Sequence, residues 1–252
     1  MKSEPEKFSP ASQVLRCLDE LEHLVESSNS LPLTHHKIVD EEAFFIATQR
    51  LKMLLPAAAV ASEATSERKA TAPARLHKGS TLLLIVDVQE RLMPAVHNAD
   101  EVEKNCLLLA RAAAHLQIPV LMTEQYPEKL GRTLSSIREA AALATPVAKM
   151  RFSACEGSTR DAIKTSGRDT ILLCGVEGHV CILQTALDLL EEGFSVFASR
   201  DAISSRTPEN AQVGWERMMR EGVLPTSAES AVFELLADAG TPDFKALLPF
   251  LK

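Results

Sequence analysis

From Thr81 onward, short apolar runs alternate with helical segments, and this alternation constrains the fold more than any other feature of the sequence. The predicted strands are 81–88, 119–124, 146–150, 169–176, 194–199 and 223–227. The predicted helices are Asp100–Leu116, Leu134–Leu143, Ser158–Thr165, His179–Glu192, Pro208–Arg220 and a last one from Ala228. Strands that are apolar on both faces and joined by helices indicate a parallel sheet covered on both sides. We therefore expect an α/β fold, a three-layer α/β/α domain with a sheet of about six strands.

The first 77 residues follow a different pattern. Two apolar stripes at three- and four-residue spacing predict two short helices, one within 10–25 and one from Asp40 to the stop at Pro56. Residues 57–77 combine eight alanines with scattered polar residues, which is typical of a linker. We therefore predict a helical hairpin over 1–56, a linker over 57–77 and the α/β domain over 78–252. Two such helices need a surface to pack on, which can be the main domain, a second copy or a partner.

Charge and hydropathy exclude several functional classes. The chain carries 27 Lys and Arg against 34 Asp and Glu, a formal net charge of -7, so it offers no basic field for nucleic acid. No apolar stretch approaches the roughly 18 residues of a membrane span, and the amino terminus is too polar for a signal peptide. We expect a cytoplasmic protein with no nucleic-acid or membrane partner. Five cysteines without CxxC spacing argue against a disulfide framework or a zinc cluster.

Three reactive side chains stand at the carboxyl ends of different predicted strands: Asp87, Lys149 and Cys181. Ligands of such sheets bind beyond these ends, so the three can converge on one crevice. Cys181 lies in the first turn of a helix, where the helix dipole and a nearby Lys149 ammonium favour the thiolate. Asp87 would hold Lys149 and carry a proton to the leaving group. The alternative is that Cys181 is an inert buried residue and Asp87 a turn residue.

Four segments carry a family resemblance: LLIVDVQERLMPAV at 83–96, TEQYPEKLGRT at 123–133, KMRFSAC at 149–155, and GVEGHVCILQTALDLLEEGFSVFASRDAISSR at 175–206. Together they resemble the isochorismatase-like cysteine hydrolase family over about residues 80–225, most closely its uncharacterised isochorismatase-domain branch. The resemblance implies a three-layer fold and a catalytic triad of Asp87, Lys149 and Cys181.

The resemblance also implies the geometry around the nucleophile. It predicts a cis peptide bond between Glu177 and Gly178, whose strain is tolerable where it directs backbone N–H groups at an oxyanion hole. The N–H groups of Gly178 and Cys181 are the candidates for that hole. Dinucleotide binding at Gly175 and Gly178 is not expected, because the third glycine of that motif is absent.

Several side chains near the predicted crevice are candidates for substrate binding: Gln89, Gln125, Tyr126, Phe152 and Glu177. Each can equally be a core residue. Nicotinamidases of the family bind a metal through an Asp-x-His pair and a further His, whereas residues 123–133 contain no histidine. We therefore expect no catalytic metal and no other cofactor.

Two functional hypotheses follow from these observations. The first is a cysteine hydrolase that acts on a small amide, carbamoyl or related acyl compound through a thioester at Cys181. The second is a non-catalytic scaffold or partner-binding protein of the same fold, with the helical hairpin as its interaction element. A homo-oligomer is expected in either case, because family members commonly assemble and the apolar stripes of the hairpin need a surface.

Overall fold

The computed structural model of the chain describes residues 74–251. The predicted helical hairpin and most of the predicted linker lie outside the described residues. The last linker residues are not separate from the α/β domain, because Leu76 is fully buried in its core. Among residues 74–251, no helix has both the length and the hydropathy to cross a bilayer.

Strands and helices alternate along the described chain as the apolar runs predict. The strands are β1 (Thr81–Val86), β2 (Val120–Gln125), β3 (Val147–Lys149), β4 (Thr170–Val176), β5 (Ser195–Ser204) and β6 (Leu224–Thr226). The α-helices are α1 (Ala99–His115), α2 (Pro127–Leu130), α3 (Ser135–Ala140), α4 (Gly157–Thr165), α5 (Leu183–Glu191), α6 (Pro208–Glu221), α7 (Ala228–Leu236) and α8 (Pro242–Leu247). Two short 3-10 helices cover Met93–Ala95 and Leu248–Phe250, and a π-helical turn covers Gly178–Ile182.

The six strands form one parallel sheet in the order β3-β2-β1-β4-β5-β6. Parallel neighbours need crossover connections, and the intervening helices provide them. Strands β2 and β3 lie on one side of β1, and β4, β5 and β6 lie on the other. The connections that follow β1 and β4 therefore run in opposite directions, and a crevice lies between them. In open parallel sheets this switch point, at the carboxyl ends of the strands, is where ligands bind.

The two faces of the sheet bury two separate sets of apolar side chains. Leu83 and Ile85 of β1 pack on one face with residues of α1 and α7. Leu82 and Leu84 pack on the other face with residues of α4, α5 and α6. Because successive strand residues point to opposite faces, a strand buried on both sides must be apolar throughout. This confirms the predicted three-layer α/β/α fold.

The structure departs from the predicted element boundaries in two places near the carboxyl edge. β5 continues to Ser204 instead of ending at 199, because a register shift at Leu173 and Gly175 of β4 allows Ile203 to pair with Gly175. The predicted helix 179–192 begins as the π-helical turn and becomes α-helical only at Leu183. Both departures lie beside Cys181. Deviations of this kind are frequent at functional sites.

Candidate active site

The parallel sheet brings Asp87, Lys149 and Cys181 to one edge. Asp87 follows β1, Lys149 ends β3, and Cys181 lies in the turn that follows β4. The Nζ atom of Lys149 reaches past β2 and lies 2.7 Å from Oδ2 of Asp87. All three residues are buried, with exposures of 0% for Asp87, 5% for Lys149 and 4% for Cys181. An ion pair so shielded from solvent interacts more strongly than a surface pair.

Asp87 is fixed by its backbone and by both carboxylate oxygens. Its φ of 58° lies in the left-handed region, which is uncommon for a residue other than glycine. Oδ1 accepts a hydrogen bond of 2.8 Å from the hydroxyl of Thr123, and the Asp87 N–H donates to the carbonyl of Thr123. Oδ2 forms the ion pair with Lys149. Within the described residues Oδ2 has no well-aligned hydrogen bond, so it keeps a lone pair for another proton.

The Lys149 ammonium is surrounded by oxygen atoms. Besides Asp87, it donates to Oε1 of Gln125 at 2.6 Å, to the carbonyl of Phe152 at 3.0 Å and to the carbonyl of Arg151 at 3.2 Å. An ammonium has only three hydrogens, and these three hydrogen bonds use all of them, so the contact with Asp87 is an ion pair. Lys149 therefore provides positive charge beside Asp87 and has no hydrogen left to donate to a ligand in this conformation.

The turn that carries Cys181 is set by Glu177 and by close packing from α6. Glu177 has φ 58° and ψ 57°, and its carbonyl accepts from the N–H groups of Val180 and Ile182 at 2.9 and 3.3 Å. Gly214 of α6 lies against this turn, and a Cβ atom there would be 2.7 Å from the carbonyl oxygen of Gly178. Only a residue without a side chain allows the helix to come so close.

The predicted cis peptide bond between Glu177 and Gly178 is wrong: every peptide bond in residues 74–251 is trans. Glu177 instead adopts a left-handed conformation at the junction of β4 and the turn. The candidate donors of the oxyanion hole, the N–H groups of Gly178 and Cys181, belong to the first and fourth residues of the five-residue turn. Their assignment to an oxyanion hole stays a prediction.

The expectation that the surroundings of Cys181 lower the pKa of its thiol and so favour the thiolate is also wrong. Burial raises the pKa of the Cys181 thiol from its usual 9.0 to about 12, and the negative charge of Asp87 and its hydrogen bonding to the thiol add to this effect. Lys149 lowers the same pKa, as predicted, but the loss of hydration outweighs it. The resting thiol is therefore protonated beside a carboxylate that can accept its proton.

Two of the predicted substrate-binding residues have their polar groups already engaged. Gln89 is fully buried, and its amide donates to the carbonyls of Gln125 and Gly131 at 3.1 and 2.7 Å. Its Oε1 accepts from the N–H of Gln125 at 2.8 Å. The Gln125 side chain in turn accepts from Lys149 and donates to the carbonyl of Met150 at 2.9 Å.

The other three predicted substrate-binding residues differ in accessibility. Tyr126 and Phe152 follow β2 and β3 at the carboxyl edge and are 38% and 54% exposed. Glu177 is buried and pairs with Arg206, whose Nε lies 3.1 Å from its Oε1. His179 Nδ1 lies 3.7 Å from the second carboxylate oxygen of Glu177. Contact with a substrate stays a prediction for all five residues.

Sequence reasoning did not single out Thr123 and Gly214, which hold the site together. Thr123 orients Asp87, and Gly214 admits α6 to the turn of Cys181. A signal for Gly214 existed, because a glycine inside a predicted helix usually has a packing reason. Thr123 gave a weaker signal, since a threonine at a strand end is common.

Comparisons with known proteins place the chain in a family. The model of the isochorismatase domain matches residues 81–230. The secreted isochorismatase effector Isc1 of Phytophthora sojae is 38% identical over 183 residues, covering 71% of this chain and 87% of the relative. Isochorismatase domain-containing protein 2A of Mus musculus is 34% identical over 178 residues, covering 71% of this chain and 85% of the relative.

Solved structures agree. The MAR1 ribonuclease of Caenorhabditis elegans matches with a TM-score of 0.68 and 32% identity, over 71% of this chain and 92% of the other. YcaC of Pseudomonas aeruginosa, solved with covalent acrylamide, matches with a TM-score of 0.68 and 28% identity, over 72% and 93%. YcaC of Escherichia coli, described as an octameric hydrolase of unknown specificity, matches with a TM-score of 0.64 and 25% identity, over 71% and 97%. The chain belongs to the isochorismatase-like hydrolase family.

Proposed function

We propose that this protein is a cysteine hydrolase of small amide, carbamoyl or related acyl compounds, with Cys181 as nucleophile, Asp87 as proton carrier and Lys149 as the charge that holds Asp87. The observation that carries the proposal is the 2.7 Å ion pair of Lys149 with Asp87, fully buried beside the Cys181 thiol. Burying two charges is costly, so a purely structural pair has little advantage over apolar packing.

In the first step the sulfur of Cys181 attacks the carbonyl carbon of the substrate while the thiol proton moves to the carboxylate of Asp87. The π electrons of the carbonyl move to its oxygen. In this proposal the N–H groups of Gly178 and Cys181 donate to that oxyanion. Because the thiol is protonated at rest, proton transfer accompanies attack rather than preceding it.

The second half of the reaction returns the enzyme to its starting state. The tetrahedral intermediate collapses, the carbon–nitrogen bond breaks, and the leaving amine takes the proton from Asp87. A water molecule gives a proton to Asp87 and attacks the resulting thioester. When the carbon–sulfur bond breaks, the proton returns from Asp87 to Cys181, and the net reaction consumes one water per amide.

The accessible aromatic rings of Tyr126 and Phe152 support a small, partly apolar substrate at the mouth of the site. Acrylamide reacts with nucleophiles by conjugate addition to its carbon–carbon double bond, so the covalent acrylamide in the related YcaC supports a reactive nucleophile in a protein of this family rather than amide cleavage. The octameric YcaC of Escherichia coli supports a homo-oligomer for this chain as well. The predicted cytoplasmic location stays a prediction, since one relative is named as a secreted effector.

The second candidate, a non-catalytic scaffold, is favoured by one observation. A pKa of about 12 is what an inert buried cysteine shows, and Cys181 has that value at rest. The two candidates differ in whether Asp87 accepts the thiol proton when a carbonyl compound binds. Covalent chemistry at Cys181 therefore separates them.

The test is to trap the acyl-enzyme. The full chain is mixed with a panel of small primary amides, carbamoyl compounds and activated acyl compounds, quenched with acid, and examined by peptide mass spectrometry. We expect the acyl mass on the Cys181 peptide, its loss in Cys181→Ala and its persistence in Cys155→Ala. Cleavage of an RNA oligonucleotide is measured separately, because one relative is named a ribonuclease and RNA has no acyl group to trap. No adduct with any compound, or turnover that survives Cys181→Ala, would contradict the proposal.

A further inference from the structure

A chain of hydrogen bonds connects Gln89 to the buried ion pair without touching Cys181. Gln89 bonds to both the N–H and the carbonyl of Gln125, as a neighbouring strand would. Its second amide hydrogen goes to the carbonyl of Gly131 at 2.7 Å. Gln89 therefore fixes the backbone of Gln125 at the carboxyl end of β2.

The side chain of Gln125 passes this constraint to Lys149. Its Oε1 accepts from the ammonium at 2.6 Å, the shortest of the hydrogen bonds that Lys149 makes. The opposite end of the Gln125 amide donates to the carbonyl of Met150, so the side chain is held at both ends. A displaced Gln125 would take the shortest of these hydrogen bonds from a buried ammonium and so change how the ammonium is oriented toward its remaining oxygens.

We propose that Gln89 is a positioning residue that acts through Gln125 on Lys149, and that it sets how strongly Lys149 assists the loss of the Cys181 proton. The inference rests on the proposed function and deepens it. It assigns Gln89 and Gln125 a role in holding the charge rather than in contacting substrate. Because Gln89 is fully buried with all three of these bonds made, no polar group of its side chain is left for a ligand.

The test measures the alkylation rate of Cys181 by iodoacetamide between pH 7 and 11, in the full chain, by peptide mass spectrometry. Lys149→Met is the reference variant, and it should slow alkylation because the ammonium lowers the pKa of the thiol. Gln89→Met and Gln125→Met should slow it in the same direction, by about three- to tenfold at a fixed pH, since one unit of pKa changes the thiolate fraction by about tenfold.

Thr133→Val is the matched control. Thr133 is buried in the loop that contains Gly131 and pairs with Gln89 in an isolated bridge, but its hydroxyl bonds to Glu124 and not to Lys149. We expect it to lower the thermal unfolding temperature while Cys181 alkylation stays within about twofold of the wild type. A merely structural role of Gln89 would make Gln89→Met behave like this control.

The outcomes separate the inference from the proposed function. If Lys149→Met slows alkylation while Gln89→Met and Gln125→Met do not, the positioning role is wrong and the proposed function stands. If Lys149→Met has no effect on Cys181, the proposed function itself fails. Should Gln89→Met not fold, Gln125→Met decides, because it removes only a half-buried side chain and leaves the backbone bonds to Gln89 in place.

Discussion

Cys181 and Cys155 are two buried thiols with similar pKa values and different surroundings. Burial is the largest cause in both cases and raises each pKa to about 12. Each thiol also lies beside a carboxylate, Asp87 for Cys181 and Glu192 for Cys155, whose Oε1 is 3.4 Å from the sulfur. A thiol next to a carboxylate thus occurs twice in this domain.

The two surroundings differ in the cation and in the backbone. The partners of Glu192 are Arg160 and Lys164, with side chains 47% and 53% exposed, whereas the Lys149 side chain is 2% exposed. Solvent and salt screen the exposed pairs but not the buried one. Cys155 follows β3 in a loop before α4, and its N–H donates to the hydroxyl of Ser153 at 3.1 Å.

Under the proposed function, a thiol and a carboxylate do not by themselves make a nucleophilic site. Cys181 adds a cation that water cannot reach and a place in the π-helical turn that follows β4. Cys155 has neither, although a cavity of about 380 Å³ lies beside it. The predictions below test whether these two differences determine the chemistry.

The largest expected difference is between the two carboxylates. Asp87→Asn removes the proton acceptor and should lower turnover of an identified substrate by about 10²-fold or more. Glu192→Gln removes the carboxylate beside Cys155 and should change turnover by less than about twofold. Steady-state kinetics on both variants check this, with circular dichroism to verify folding. Comparable losses in the two variants would break the distinction between the sites.

A smaller effect is expected from the packing behind Cys181. Gly214→Ala places a Cβ atom 2.7 Å from the carbonyl oxygen of Gly178, so the turn must shift. We expect turnover to fall by about tenfold, because small misplacements of reacting groups are costly. Iodoacetamide labelling of Cys155 should be unchanged.

Val213→Ala is the control for that variant, since Val213 is the preceding residue of α6 and is exposed. It should leave both turnover and labelling as in the wild type. Full activity of Gly214→Ala would mean that the turn tolerates displacement.

The smallest expected difference is in alkaline stability, where the two thiols should behave alike. Both keep their proton in the folded state to about pH 12, whereas in the unfolded chain they lose it near the usual 9.0. The free energy of unfolding should therefore fall as the pH rises above about 9, by up to about 1.4 kcal/mol per pH unit for each thiol.

Urea unfolding at several pH values checks this expectation. Cys155→Ala and Cys181→Ala should each flatten the fall above pH 9 by a similar amount. Unequal changes would show that one thiol is less buried than the other. Equal changes, together with unequal reactivity, would show that the pKa alone does not select the nucleophile.

The fold was predictable because the relevant signals are local. Continuous apolar runs give strands such as β1 and β4, and their spacing gives the crossover helices. The convergence of Asp87, Lys149 and Cys181 follows from the same pattern, since parallel strands end at one edge. A helix dipole argument could not give the pKa of Cys181, because the burial that dominates it comes from distant segments.

The roles of the two glutamines were not predictable for a similar reason. Gln89 lies next to the site in sequence, but its bonds join it to Gln125 and Gly131, which are 36 and 42 residues away. A short sequence motif does not show which groups will form hydrogen bonds with the side-chain amide of a glutamine. The π-helical turn and the left-handed Glu177 also depend on packing from α6, and sequence patterns alone could not reveal it.

The position of the strands in the sheet gives the parts of the site different resistance to local unfolding. β1, which leads to Asp87, is paired on both sides, whereas β3, which carries Lys149, is an edge strand of three residues paired only to β2. Edge segments open at a lower free-energy cost than the centre of a domain. Amide hydrogens of 147–149 should therefore exchange with deuterium before those of 83–86. Each such opening moves the ammonium of Lys149 away from the site while the carboxylate of Asp87 and the thiol of Cys181 stay in place.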